Sequence, residues 1–556
     1  MSRTSYLRQP LAALLIMAAA LAASVVMAVV VLASPAWAAT YTVTNNADSG
    51  AGSLRQAIIA ADTTTGVADT INFELGSSAT ITLTSAQLPT ITDAAGLTIN
   101  GGSANITING ANQYRVFEVG SGAKLTLSNL TVADGAAADR DFGGGGGIFN
   151  NGTLTVSNST LSGNSSNGGG GGIFNNGTLT VSNSTLSGNS SGNSSPGGGA
   201  PGGGIYNAGT ATVSNSTFSG NSAIFDGGGI FNAGYSLVIS NSTLSGNSAA
   251  GGGGGLNNGP IGIENATATV SNSTFSGNSA SFGGGIVSGG LGTLTVSNST
   301  FSGNSTTGGG FGGAYASLGN SATFKNTIVA NSPSGGNCGA IPNDGGYNLD
   351  SDKGSFDTCG FSTNNNSLSG VDPMLGALAD NGGPTQTHAL LKGSPAIDKG
   401  NSFGESTDQR SLVRPSNFVG IPDASGGDGS DIGAFEVQAP DTTPPKVTST
   451  VPGNGGEVGP AVNVKATFSE KMDTNTINGQ TFKLFKKGST TQIAAQVSYS
   501  VSTRTAKLDP TNNLRRGVTY KAVVTTGAKD LAGNQLDQNN KTTGLQQKVW
   551  YFTVDN

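Results

Sequence analysis

Through the middle of the chain, apolar and polar positions alternate in short runs that return every 25 to 32 residues. The tetrapeptide Ser-Asn-Ser-Thr marks the register, starting at 157, 182, 214, 240, 271 and 297. Counting back from it gives an apolar column, Val156, Val181, Val213, Ile239, Val270 and Val296. Two residues earlier lies a second, Leu154, Leu179, Ala211, Leu237, Ala268 and Leu294. The position between them is polar in five copies of six: Thr155, Thr180, Thr212, Val238, Thr269 and Thr295. Period two with one apolar face predicts a strand with one buried side. Two more apolar columns follow, Ile148 to Ile286 and Leu161 to Phe301, so each repeat carries three short strands separated by turns.

No helix-period segment separates these strands, which excludes βαβ crossovers. Identical coils stacked so that each strand pairs with its counterpart one coil away form a parallel β-helix, and right-handed coiling is the rule for parallel crossovers. The expectation is an all-β chain: a right-handed parallel β-helix with three strands per coil and about 11 coils over 41–330. At roughly 4.8 Å per coil the rod is about 50 Å long. Glycine tracts absorb the differences in repeat length, as loops do. Ser53 to Asp62, SLRQAIIAAD, predicts a short amphipathic helix with a Ser53/Gln56 capping box that lids the N-terminal end.

Asparagine recurs at two turns. One column is Asn158, Asn183, Asn215, Asn241, Asn272 and Asn298; the other is Asn164, Asn189, Asn221, Asn247, Asn278 and Asn304. Both are read as ladders in which Asn side chains hydrogen-bond from coil to coil, in turns whose left-handed angles Asn tolerates. Each Asn-Ser-Thr is also formally a glycosylation sequon. Phe149, Phe174, Tyr206 and Phe231 follow the inward Ile and therefore point outward. They form a candidate binding face for sugar rings or a protein ligand; the alternative is that they stack on one another beneath the glycine loops.

These residues resemble a known group. GGGIFNN…NSTFSGNSA is similar to the repeat of polymorphic outer-membrane-protein and other pectin-lyase-like right-handed β-helix proteins. The matching positions are Gly147-Ile148, Phe218-x-x-Asn221, Phe275-x-x-Asn278 and Phe301-x-x-Asn304. The resemblance covers roughly 40–330 and implies the fold, not an activity, because the fold hosts lyases, adhesins and structural rods alike. Between 331 and 440 the sequence NCGAIPNDGGYNLDSD…DIGAFE resembles the choice-of-anchor segment of secreted bacterial β-helix proteins, which implies a C-terminal cap. After a stiff linker, 441–445, seven alternating runs over 446–556 read as a β-sandwich. The runs FSEKMD and TYKAVVTTGAKDLAGNQL resemble surface-layer-type bacterial Ig-like domains.

Composition narrows the function. Gly accounts for 89 of 556 residues, charged residues for 10%, and there is one histidine, so a site needing several histidines is excluded. Residues 39–440 carry a net charge of −14 and residues 441–556 a net charge of +6. An acidic body disfavours nucleic acid as a partner. Residues 1–38 read as a secretory signal peptide cut between Ala38 and Ala39, with an uncleaved membrane anchor as the other reading; no second membrane-spanning run follows. In that exported setting Cys338 and Cys359, 21 positions apart, form a disulfide or remain two buried thiols.

Candidate chemistry is sparse. Between Gly143 and Phe324 the only charged residues are Asp226 and Glu264, in different coils and without a basic residue beside them. Asp134, Asp139, Arg140 and Asp141 read as a charged loop, Gly188 to Gly192 as a chance Gly-x-Ser-x-Gly, and His388 as a surface histidine. Calcium at Asp350/Asp352 or Gly426–Asp431 is a weak reading against solvated turn carboxylates; otherwise no metal or cofactor is expected. The chain is read as a monomeric, secreted or cell-surface structural or adhesin-like protein with an unidentified glycan or protein ligand. A carbohydrate-active β-helix lyase or glycosidase is the alternative.

Overall fold

The computed structural model describes residues 37–556 apart from 65, 138–143, 193–199, 260–265, 291, 320–321, 354–358, 419 and 540. It divides into two units, one ending at Gln438 and one spanning Ala439–Asn556. Residues 1–36 of the segment read as a leader, residues 139–141 and Glu264 lie outside the described residues; Ala39 N–H donates to Asp69.

The first unit is a parallel β-solenoid of about ten turns over residues 40–330. One repeat shows how the sequence makes a coil. Ile148–Asn150, Thr153–Ser157 and Thr160–Ser162 are the three strands that the apolar columns predict, and a two-residue pairing, Ser165–Ser166, adds a fourth side. Each strand stacks in register on its copy one coil on, Leu154 on Leu179 and Val156 on Val181. Four sheets result. The first, built on the Thr153–Ser157 position, and the second, built on Thr160–Ser162, each have 12 strands; the other two have 8 and 7.

The inward columns are fully buried and make one continuous core. Phe275 and Phe301 stack within it at 4.8 Å between ring centres. Some glycines that read as loop filler are part of this packing. Gly146, Gly171, Gly203, Gly228, Gly254 and Gly284 press against the carbonyls of the fourth side, Ser165 to Ser305, so closely that a Cβ would collide with them. α1 (Leu54–Thr63) buries Leu54, Ala57, Ile58 and Ala61 and is capped by the Ser53 side chain accepting from Gln56 N–H.

The first two sheets run past residue 330, through Asn343–Asp344, Leu349–Asp350 and Leu368–Ser369. The Cys338–Cys359 disulfide joins two segments of this extension, with Cα atoms 5.0 Å apart. Beyond Ser369 the chain leaves the coil path. It returns along the side of the solenoid and packs Leu390, Ala396, Ile397 and Ile432 against Ile328, Ala330 and Leu349.

The second unit is a sandwich of two four-stranded sheets around Phe468, Phe482, Trp550 and Phe552. Its eight strands are the seven alternating runs plus Gly456–Val458, which pairs parallel to Lys548–Val554 and is too short to show a period.

Removing a ring from the core stack leaves a cavity that rigid neighbouring coils cannot close. Phe275→Ala is expected to lower the unfolding free energy by about 3–5 kcal/mol, read from urea denaturation.

Candidate functional site

The asparagine column from Asn164 to Asn304 is a buried ladder. Asn164 Nδ2 donates to Asn189 Oδ1 at 2.8 Å, and the same bond recurs from Asn189 to Asn221, Asn221 to Asn247, Asn247 to Asn278 and Asn278 to Asn304 at 2.8–2.9 Å. Each amide also donates back to a main-chain carbonyl of the preceding coil. Every donor on the amide is therefore used without water.

The other expected ladder is not there. Asn158, Asn183, Asn215, Asn241, Asn272 and Asn298 take left-handed angles, φ 44–49°, and none bonds to the next in that series. The left-handed backbone turns their side chains away from the interior. The serine that follows runs the ladder instead: Ser159 N–H donates to Ser184 Oγ at 3.1 Å, and the contact repeats through Ser216, Ser242, Ser273 and Ser299. A further ladder passed unnoticed in the sequence. Asn150, Asn175, Asn207, Asn232 and Asn258 end the Ile-Phe-Asn strands and bond amide to amide at 2.6–2.7 Å. Its signal was the recurring Asn two residues after the inward Ile.

The aromatic column stacks on itself. Ring centres of Phe149, Phe174, Tyr206 and Phe231 are 5.4, 4.5 and 5.3 Å apart. Arg115 lies over Phe149, Gly144 and Gly169 crowd the next two rings, and Phe231 is only 4% exposed. The ring faces are occupied by neighbours, which leaves edges rather than faces to a ligand.

The returning segment is the most elaborate polar site in the first unit. Thr243 Oγ1 donates to the Gln386 carbonyl, and Thr274 Oγ1 to Gln409 Oε1 at 2.6 Å. Gln409 Nε2 donates to Thr243 and Thr385. The left-handed asparagines reach the same segment: Asn272 donates to the Thr407 carbonyl, Asn298 to Ser402 and Asn326 to Asp431, at 2.9–3.1 Å. Asn158 and Asn183, uncovered, are exposed, whereas Asn272, Asn298 and Asn326 are buried.

His388 belongs to this interface and is not a surface residue. Its Nδ1 faces the Gly376 carbonyl, which can only accept, so Nδ1 carries the proton; Nε2 meets Ser276 Oγ at 2.9 Å. Burial holds its pKa below the ordinary value, and the ring is neutral.

The carboxylates of the segment are tied into it. Arg410 pairs with Asp408 at 2.6 Å, and Arg414 with Glu436 at 2.9 Å, both pairs buried. Asp431 accepts from the main-chain N–H groups of Asp398 and Val437. Burial, and then the nearby Glu436, push its pKa up to about 8. The two weak calcium candidates are engaged in the same way. Asp350 and Asp352 accept from Asn337, and Asp428 accepts from Ser402 and Ser430. Among the described residues, one carboxylate group is close enough to share a cation: Asp441, Glu470 and Asp530 in the second unit, each offering an oxygen within 4.8 Å of the others. It was not anticipated, because 89 residues of chain separate Asp441 from Asp530.

The second unit's two four-stranded sheets and its sequence agree with a recognised domain. Residues 441–554 match the bacterial Ig-like domain family. This Ig-like domain is similar to the S-layer protein SbsC, at 26% identity over 20% of the chain and 14% of that protein, with a TM-score of 0.16. It is also similar to PcoC, a methionine-rich copper resistance protein from Escherichia coli, at 20% identity over 20% of the chain and 100% of that protein, TM-score 0.16. The chain is also similar to pectate lyase Pel9A, at 18% identity over 72% of the chain and 96% of that protein, TM-score 0.41. No curated relative matches the sequence. No helix among the described residues is long and apolar enough to cross a membrane.

Two predictions follow from this chemistry. Asn221→Ala strips an acceptor from Asn189 and a second donor from the Leu186 carbonyl and empties a buried site, so it should cost about 2–3 kcal/mol in denaturant unfolding, whereas Asn183→Ala should cost about 1 kcal/mol for its left-handed backbone alone. An acid whose pKa is raised by folding stabilises fully below its unfolded value and loses that contribution as pH rises through the folded value. Protection factors of amides in 396–438, corrected for the intrinsic base-catalysed rate, should therefore fall as pH rises from about 4 to the Asp431 value of about 8 and level off above it.

Proposed function

We propose that the protein is a secreted or cell-surface structural rod, adhesin-like and non-enzymatic, whose solenoid displays a repetitive face and whose Ig-like domain serves as a spacer or attachment module. The observation that carries this reading is the returning segment. Its acids and bases, the residues best suited to catalysis, are paired off internally: Arg410 with Asp408, Arg414 with Glu436, and His388 with Ser276 and a carbonyl. A general acid or base must reach its substrate, and these groups face the solenoid wall. The bacterial Ig-like domain supports a place outside the cytoplasm.

Purified 39–556 chromatographed with a panel of polysaccharides tests the reading. The expected result is polysaccharide of undiminished length, with or without co-elution. Shortened chains would overturn it in favour of a β-helix lyase or glycosidase, and export is checked by fractionating cells that express the full chain.

A further inference from the structure

We propose that the outer face of the first sheet binds ice. This goes beyond the structural role above and does not depend on it. The central outward column of that sheet runs from Thr40 to Thr323 and holds threonine at every strand except Val238, each residue paired in register with the next. Two residues earlier a second column, from Thr153 to Thr293, is threonine throughout save Ser236. Two residues later a third, from Ser128 to Ser297, is serine in every coil. The face is therefore a rectangular net of hydroxyls.

Parallel pairing sets one period of the net at about 4.8 Å, and two residues along a strand set the other at about 6.6 Å. The shorter period is close to one repeat of hexagonal ice, and the longer falls somewhat short of another. Threonine suits the task in two ways. Its branched side chain is stiff at χ1, so hydroxyl and methyl are held in place before any ligand arrives. The hydroxyl can stand in for a lattice water while the methyl fills the space between waters.

The hydroxyls of the central column are also available, while in the flanking columns Thr267 donates to the Tyr235 carbonyl and Ser128 to Asn100. Among the described residues, no hydroxyl of the central column bonds to another protein group, whereas Thr243, Thr274 and Thr300 of the second sheet all bond to the returning segment. Charge fits the occupant too. From Thr153 to Ser297 the three columns carry no charged side chain, matching an uncharged lattice. The central column is about 48 Å long, and the part of the face that carries all three columns measures about 24 Å by 13 Å, roughly 300 Å². That falls short of the about 800 Å² per partner typical of a stable protein–protein contact. It also lacks the aromatic faces on which sugar rings stack. Ice needs neither.

The test uses the mature chain in an ice-recrystallisation assay and a freezing-hysteresis measurement, beside the triple variant T155K/T180K/T212K and a control on the second sheet, T185K. The wild type and the control are expected to arrest recrystallisation and to shape ice crystals, and the triple variant to lose at least about fivefold in potency, the equivalent of one hydrogen bond of about 1 kcal/mol. Circular dichroism checks that the variants fold. If the lysine variant does not fold, T155V/T180V/T212V replaces it, keeping volume and strand preference. Wild-type protein without effect on ice, or a folded net variant as potent as wild type, overturns the proposal; so does retention on crystalline cellulose or chitin but not on ice.

Discussion

Everything in the solenoid follows from parallel strands stacked in register. A residue at a given repeat position has its own copy above and below, so each position must hold a side chain that packs or bonds with itself. Apolar side chains meet this by stacking, as Phe275 does on Phe301. A buried polar side chain meets it only if it is donor and acceptor at once. The primary amide is both, which is why Asn189 can receive from one coil and give to the next. A carboxylate or an ammonium in the same place would repel its copy across about 4.8 Å in a poorly screened interior. The scarcity of charge in the coils is thus a condition of the fold.

That constraint explains what was legible in the sequence. The inward columns and the strands they define came straight from the repeat, because self-stacking imposes the same residue at the same offset. The ladder from Asn164 was legible for the same reason. The column from Asn158 misled because sequence periodicity reports that a residue recurs, not which way its backbone points: at φ near 48° the side chain leaves the interior and the neighbouring serine takes its place. The fourth side went unseen because two-residue pairings such as Ser165–Ser166 carry no period.

The returning segment was the least legible part. It has no repeat of its own, and its partners on the coils are 75 to 167 residues away in the chain. Its composition suggested solvated acids. Folded, the acids accept from main-chain N–H groups and arginines, and the single histidine is buried against Ser276. Nothing local in the sequence distinguishes an aspartate that will be buried this way from one left in water.

The same segment alters how the solenoid holds together. In a stack whose repeats touch only their neighbours, coils can fray one at a time from either end. Here one stretch of chain is fastened to Thr243, Asn272, Asn298 and Asn326, on successive coils. Those coils cannot open singly without breaking a tie that the others share, whereas among the described residues the asparagines Asn158 and Asn183 have no such tie. The rod therefore combines two mechanical regimes: a laced half that yields as a block and a free half that can peel layer by layer.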